Sequence, residues 1–210
     1  MKYFEFNIDK RQAEWIFSPL RSKVDVIQLL MKTIKLILVH EHIDPSLVHG
    51  KIMLCVSKMS RLFYCSDKKC FSINFPFTVI SNDHGSLVFQ SKYIDDINNK
   101  VTSDLIGIII VGNALGSNDI MEFAEPIYNI SEFNEGFWSL FRELLLFDDG
   151  YIRYDFDQIR EDGVIHPLHH LDVFYSSNAT FKIGLRKQIE DKHLVDLLDT
   201  NSDCHYLDTV

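Results

Sequence analysis

No apolar run in this chain is long enough to cross a bilayer. The most hydrophobic stretch, LIGIIIV from Leu105, falls far short of the ~20 residues that a spanning helix needs. The opening MKYFEFNIDK lacks the apolar segment of a secretory signal. Cysteine is sparse, at positions 55, 65, 70 and 204, and with no export signal a cytoplasmic location with these residues as thiols is expected. A Walker-type phosphate loop and a G-x-S-x-G nucleophile elbow are both missing. Gly107, Gly112 and Gly116 interrupt or follow an apolar run without forming G-x-G-x-x-G, so no dinucleotide or other cofactor is expected. There is no internal repeat and no low-complexity linker, which points to a single domain over 1–210 with a C-terminal subregion at 149–200.

Positive charge is also in deficit. The net charge is −9, distributed unevenly: residues 1–70 hold twelve Lys and Arg against seven Asp and Glu, and residues 71–210 hold nine against twenty-three. An acidic whole argues against non-specific binding to DNA or anionic membrane, each of which requires a positive field. The basic N-terminal part either meets phosphate or neutralises the acidic remainder within the fold.

What the chain does have is apolar residues at 46%, charged residues at 24% and sixteen Phe. That is the composition of a packed globular protein. MKYFEFNI reads as a strand, and Asp9 as the N-cap of a short helix through Trp15. Ser22 and Asp25 form a capping-box pattern ahead of VDVIQLLMKTIKLILVHEH. On that helix Asp25, Gln28, Lys32 and Lys35 share a narrow polar face, and the wide apolar arc implies burial against a sheet. KIMLCVSK, RLFYCS and CFSINFPFTVI follow as strands, with a turn between Cys65 and Cys70 and another at Asn82–Gly85 leading into SLVFQ. DLIGIIIVG reads as a central strand buried on both faces. The segment from Gly112 to Pro126 is irregular; Ser131 then caps a helix marked by Phe133, Phe137, Leu140, Phe141, Leu144 and Leu145, with Gly150 just past its end. RKQIEDKHLVDLL is the third long helix expected. The sum is an α+β fold, a mainly antiparallel sheet packed by about three long helices.

The densest mixture of Arg, Asp, His and Lys lies between Asp149 and Arg186. Three antiparallel strands are expected there, at 151–157, 169–175 and 179–185. Period-two alternation places Ile152, Tyr154 and Phe156 with Leu171, Val173, Phe181, Ile183 and Leu185 on one face. The other face gathers Arg153, Asp155, His170, Asp172 and Lys182, provided the register holds; a one-residue slip would scatter them. Such a set suits metal-free acid–base chemistry. A histidine exchanges a proton near neutral pH, a carboxylate orients it, and Arg and Lys oppose charge on a phosphate, the kit that RNA cleavage by its own 2′-hydroxyl requires. The plainer reading is a solvated sheet face whose opposite charges pair across strands.

Two metal readings are weaker than they look. In a strand, His169 and His170 point to opposite faces and cannot share one ion; a helical turn with Pro167 in its first turn would gather His166, His169 and His170, but the following LDVFY favours strand. Cys65-x4-Cys70 is half a zinc pattern, but no second Cys/His pair stands at a supporting spacing, and hairpin core thiols are expected instead.

The strand Tyr151-x-Arg153-Tyr154-Asp155 followed by His166-Pro167-x-x-His170-Leu171 resembles an uncharacterised bacterial family, domain of unknown function 2290, over about Tyr151 to Leu198. The same two-strand pattern is similar to small bacterial toxins regarded as ribonucleases, which carry an R-[YW]-D strand and paired histidines. That resemblance implies a site containing Arg153, Asp155, His166 and His170, an RNA substrate, and a toxin- or defence-type role. The chain departs from those toxins in length, in acidity and in its large N-terminal portion. The alternative is a non-catalytic acidic subunit that docks on a neighbour-encoded protein partner.

Overall fold

The computed structural model describes residues 2–58, 60–82, 86–110, 135–176 and 179–206. The segment from Gly112 to Pro126, the Ser131 cap, Phe133 and most of the Asn82–Gly85 turn lie outside these residues. The fold is α+β, with an antiparallel seven-stranded sheet, a two-stranded ribbon and five helices among the described residues.

The chain forms two compact units, each assembled from separated segments: residues 1–17, 43–75 and 150–210 in one, and 18–42 with 76–149 in the other. No composition shift marks these boundaries, because the chain leaves and re-enters the first unit between regular elements rather than through a linker.

The first unit is built on strands β1 (Lys2–Ile8), β2 (Gly50–Val56), β3 (Arg61–Cys65), β4 (Lys69–Asn74), β7 (Ile152–Phe156), β8 (His169–Ser176) and β9 (Ala179–Leu185), in that spatial order. Every neighbouring pair is antiparallel. β4 therefore pairs directly with β7, with Phe71 opposite Arg153, across the whole of residues 76–149. Two buried features close that seam. Arg61 donates from Nε to Ser72 Oγ at 2.9 Å, from Nη1 to Asn74 Oδ1 at 2.5 Å, and from Nη2 to the Gly150 carbonyl. Gly150 re-enters the sheet at φ 54°, and a Cβ there would lie 2.6 Å from the Asn74 side chain, so only glycine fits.

The alternation of each strand sorts its side chains. One face carries Met53, Cys55, Phe63, Cys65, Cys70, Tyr154 and Leu171, covered by Leu194 of helix α5 (Asp191–Leu197). The opposite face carries Ile52, Leu54, Leu62, Tyr64 and Phe71, all buried. Helix α1 (Lys10–Ile16), capped by Asp9 as expected, lies on that second face and sets Phe17 edge-on to Phe71 at 5.9 Å. An aromatic file then crosses the strands: Tyr64 stacks on Phe71 at 4.7 Å, Phe71 meets Tyr151 edge-on at 5.6 Å, and Tyr151 stacks on Phe174 at 4.3 Å.

The second unit contains helix α2 (Lys23–Leu38), with the Ser22–Asp25 capping box in place, helix α3 (Asn99–Ile110), helix α4 (Glu135–Leu146) and the ribbon of β5 (Thr78–Ser81) and β6 (Leu87–Gln90). Lys35 ties α2 to α3 through Ser103 at 2.7 Å, and Lys23 bridges to Asp149 at 2.5 Å while sitting 3.6 Å above the Phe147 ring.

Three expectations need correction. Of the run DLIGIIIVG, the described part, Asp104–Ile110, is helical in α3 rather than a central strand. A short apolar run does not distinguish a buried strand from a buried helix. The deciding signal is Asn98, whose side chain accepts from the Lys100 and Val101 amides at 2.9 and 3.2 Å, after which Thr102, Leu105, Ile108 and Ile109 are buried at helical spacing. The C-terminal helix is not long: α5 has 7 residues, starting only after Glu190, whose N-cap box is shared with His193. Its core anchor is Leu194. Finally, Cys65 and Cys70 are bonded to each other rather than separate thiols, because the β3–β4 register sets them directly opposite at a Cα separation of 4.1 Å.

Candidate functional site

The register of β7, β8 and β9 brings the polar residues into two rows. Arg153 lies opposite Asp172, and Asp172 opposite Lys182. Asp155 lies opposite His170, and His170 opposite Gly184. Arg153, Asp155, His170, Asp172 and Lys182 thus share one face and form one hydrogen-bonded network. Arg153 donates from Nε to Asp155 Oδ2 at 2.6 Å and from Nη2 to Asp172 Oδ2. Lys182 donates to Asp172 Oδ1 at 2.6 Å and approaches His170 Nε2 at 3.0 Å.

His170 is the best-enclosed member, with its ring wholly buried. Its Nδ1 lies 2.7 Å from the Pro167 carbonyl. A carbonyl only accepts, so the proton sits on Nδ1 and Nε2 is left to accept from the Lys182 ammonium. Gly184 makes room for this roof. A Cβ there would meet Pro167 Cγ at 3.0 Å, so the missing side chain lets the loop between β7 and β8 close over the imidazole.

That loop holds the sixth expected residue. His166 packs edge-on to His170, ring centroids 4.6 Å apart, and its Nε2 lies 3.2 Å from Asp157 Oδ2. Its side chain keeps 19% of its surface exposed, in contrast to the buried His170. A two-way backbone bridge between His166 and Asp162, at 2.7 and 2.8 Å, fixes the loop. Asp157 is set in turn by the Ile159 and Arg160 amides at 3.2 and 3.1 Å. Desolvation works to raise the Asp157 carboxyl, but those amides, the Arg160 charge and His166 outweigh it and hold it below 3.8. His169 falls on the opposite face, where Nδ1 meets the Tyr154 hydroxyl at 2.9 Å and the ring stacks on Phe156.

The electrostatics reach beyond the expected residues. Burial would raise the Asp172 carboxyl, yet the hydrogen bond from Lys182 and the charges of Arg153 and Lys182 prevail and depress it below 3.8. Lys69 on β4, opposite Asp155, is pushed down first by desolvation and then by the Arg153 charge. Burial pushes the Tyr151 phenol up, against the opposing influence of Arg153. Lys69, Tyr151 and Asp157 therefore belong to the site's surroundings. Asp157 was within reach of the sequence, since it continues the alternation of Arg153 and Asp155. Lys69 was not, because its strand pairs with β7 only across a long insertion.

Asp155, His170 and Asp172 could each offer an atom to a metal ion, all within 4.8 Å. A fixed ammonium, that of Lys182, already bridges Asp172 and His170 there. What the arrangement offers chemically is a partly exposed histidine–carboxylate pair beside two cations, Lys182 and Arg153, whose side chains are 32% and 22% exposed.

Comparison of the chain with protein-family models, with curated proteins and with solved structures found no match.

Proposed function

We propose that the polar face of β7–β9 is a metal-independent site for cleaving RNA, in a toxin- or defence-type protein acting in the bacterial cytoplasm. The supporting observation is the His166–Asp157 pair, partly exposed and packed against the His170 ring that carries the Lys182 ammonium. In this reading His166 takes the proton of a 2′-hydroxyl and Asp157 orients its ring. The 2′-oxygen bonds to phosphorus as the bond to the 5′-oxygen breaks, and the proton passes to the departing 5′-oxygen. Lys182 and Arg153 oppose the charge gathering on the phosphate. Asp155 and Asp172 hold Arg153, and His170 with Asp172 holds Lys182, so His170 is a positioning residue whose two nitrogens are both engaged. The similarity of the two-strand pattern to small bacterial toxins suspected of being ribonucleases supports this reading.

The test is incubation of the purified chain with single-stranded RNA in excess chelator, with products assayed for 2′,3′-cyclic phosphate. Replacing His166 or Lys182 by Ala should slow cleavage by about 10²–10⁴-fold while leaving the melting temperature in place. Cleavage at the same rate in both variants removes the proposal.

A second reading rests on a different observation. Ile159, Val164 and Ile165 are exposed on the loop over the site, alongside exposed Glu161 and Asp162. An apolar tip with acidic neighbours suits docking to a basic, neighbour-encoded protein. That reading expects salt-sensitive co-purification, lost on replacing Val164 and Ile165 by Ser, and no cleavage by the chain alone. Among the described residues, no helix is long and apolar enough to cross a membrane.

A further inference from the structure

The sheet face opposite the polar network carries a second constellation, at the mouth of the β3–β4 hairpin. Cys65 and Cys70 are directly opposed across the two strands, and each is 2% exposed. Both line a cleft of about 1050 Å³ that is also bordered by His49, Lys51, Tyr154 and Asp191. Asp191, the first residue of α5, brings its carboxylate to this pair from the far end of the chain, and the three ligand atoms lie within 4.8 Å of one another. Lys51 lies 3.2 Å from Asp191 and 3.5 Å from Glu5, so one cation already balances this acidic corner.

We propose that, with the cysteine pair reduced, Cys65, Cys70 and Asp191 form a site for one zinc-class divalent ion, and that the Cys65–Cys70 bond is its oxidised, metal-free state. Two thiolates with one carboxylate make a soft, borderline donor set, which selects zinc over magnesium or calcium. Three protein ligands leave a fourth position on the cleft, whose lining includes the His49 ring. In a reducing compartment, two electrons and two protons from a dithiol, which itself becomes a disulfide, open the sulfur–sulfur bond. Entry of the ion then releases two protons to solvent, one from each thiol. The half-pattern visible in Cys65-x4-Cys70 is completed by an aspartate 121 positions beyond Cys70, not by a second Cys/His pair.

The proposal is tested on the full chain carrying Cys204→Ser, which removes the exposed thiol. The protein is reduced with a water-soluble phosphine, which ends as its oxide, and then titrated with Co²⁺ as the probe. The expected result is one Co²⁺ per chain with thiolate-to-cobalt charge-transfer absorption, displaced by Zn²⁺. The oxidised chain should give no such band. The double variant Cys65→Ser, Cys70→Ser should give none either. Asp191→Asn should weaken binding by more than about a hundredfold, beyond the roughly 10–100-fold lost with a group that merely supports a ligand. A reduced chain with native circular dichroism and no charge-transfer band means a structural disulfide only, and overturns the proposal. So does a reduced chain that loses its tertiary signal, or a band of equal affinity in Asp191→Asn. None of these outcomes depends on RNA cleavage, which the opposite face would perform.

Discussion

From β2 to β4, one face of the seven-stranded sheet is filled by Ile52, Leu54, Leu62, Tyr64 and Phe71, each at most 1% exposed. From β7 to β9, the same face carries Arg153, Asp155, His170, Asp172 and Lys182. The change happens across a single strand pairing, where Phe71 lies opposite Arg153 and Lys69 opposite Asp155. One pleat and one direction of pairing thus serve both ends, and only the side chains differ. At the apolar end, burial itself stabilises. At the polar end each buried charge costs desolvation and is tolerated because its partners lie within hydrogen-bond distance. The first half needs only volume and hydrophobicity. The second needs a register, since a slip by one residue would separate every pair.

The comparison can be broken most sharply at its seam. Phe71→Ala should cost about 3–5 kcal/mol, because it removes a fully buried ring that touches Phe17, Tyr64 and Tyr151. Chemical denaturation measures this, and a loss under ~1 kcal/mol would show that the apolar end is not packed as described.

Asp172→Asn should cost less than the about 3–5 kcal/mol of breaking a fully buried pair, because Lys182 and Arg153 retain access to water. The pH dependence is the sharper measurement. The folded Asp172 carboxyl is depressed below its ordinary 3.8, so its contribution is full above that range and is lost as pH falls through it towards the folded value. The wild-type chain should therefore lose stability more steeply than Asp172→Asn as pH is lowered from about 5 to about 3. Parallel curves for the two proteins would remove Asp172 as the electrostatic centre of the network.

The smallest effect on folding is expected for Lys182→Ala, within about 1 kcal/mol, since a third of its side chain is in water and a partly exposed ion pair contributes little. The same substitution should cause a large loss of RNA cleavage. Together these outcomes separate a charge kept for function from charges kept for packing; a destabilisation as large as that of Phe71→Ala would instead make Lys182 part of the core.

Much of the C-terminal sheet was legible in the sequence because strand alternation is a local property. Arg153, Asp155 and the opposing set Ile152, Tyr154 and Phe156 needed only the period of two. The same logic separated His169 from His170. It did not reveal that His170 would be roofed by Pro167 over Gly184, nor that His166 would keep part of its ring exposed, since both depend on how the connecting loop folds back. The helix Asn99–Ile110 was legible in principle through Asn98, a cap signal that the apolar run obscures.

The amino-acid sequence by itself determined the α+β class, the capped helices at Asp9 and Ser22, and which residues of β7, β8 and β9 share a face. These follow from spacings of a few residues, over which backbone geometry leaves little choice. Only the tertiary structure decided that β4 pairs with β7, that Lys69 comes opposite Asp155, that Arg61 clamps Ser72, Asn74 and Gly150, and that Asp191 meets Cys65 and Cys70. Apart from the Arg61 contacts to Ser72 and Asn74, each of those joins residues dozens of positions apart. Their proximity is fixed by burial and pairing across the whole sheet, which no local pattern records.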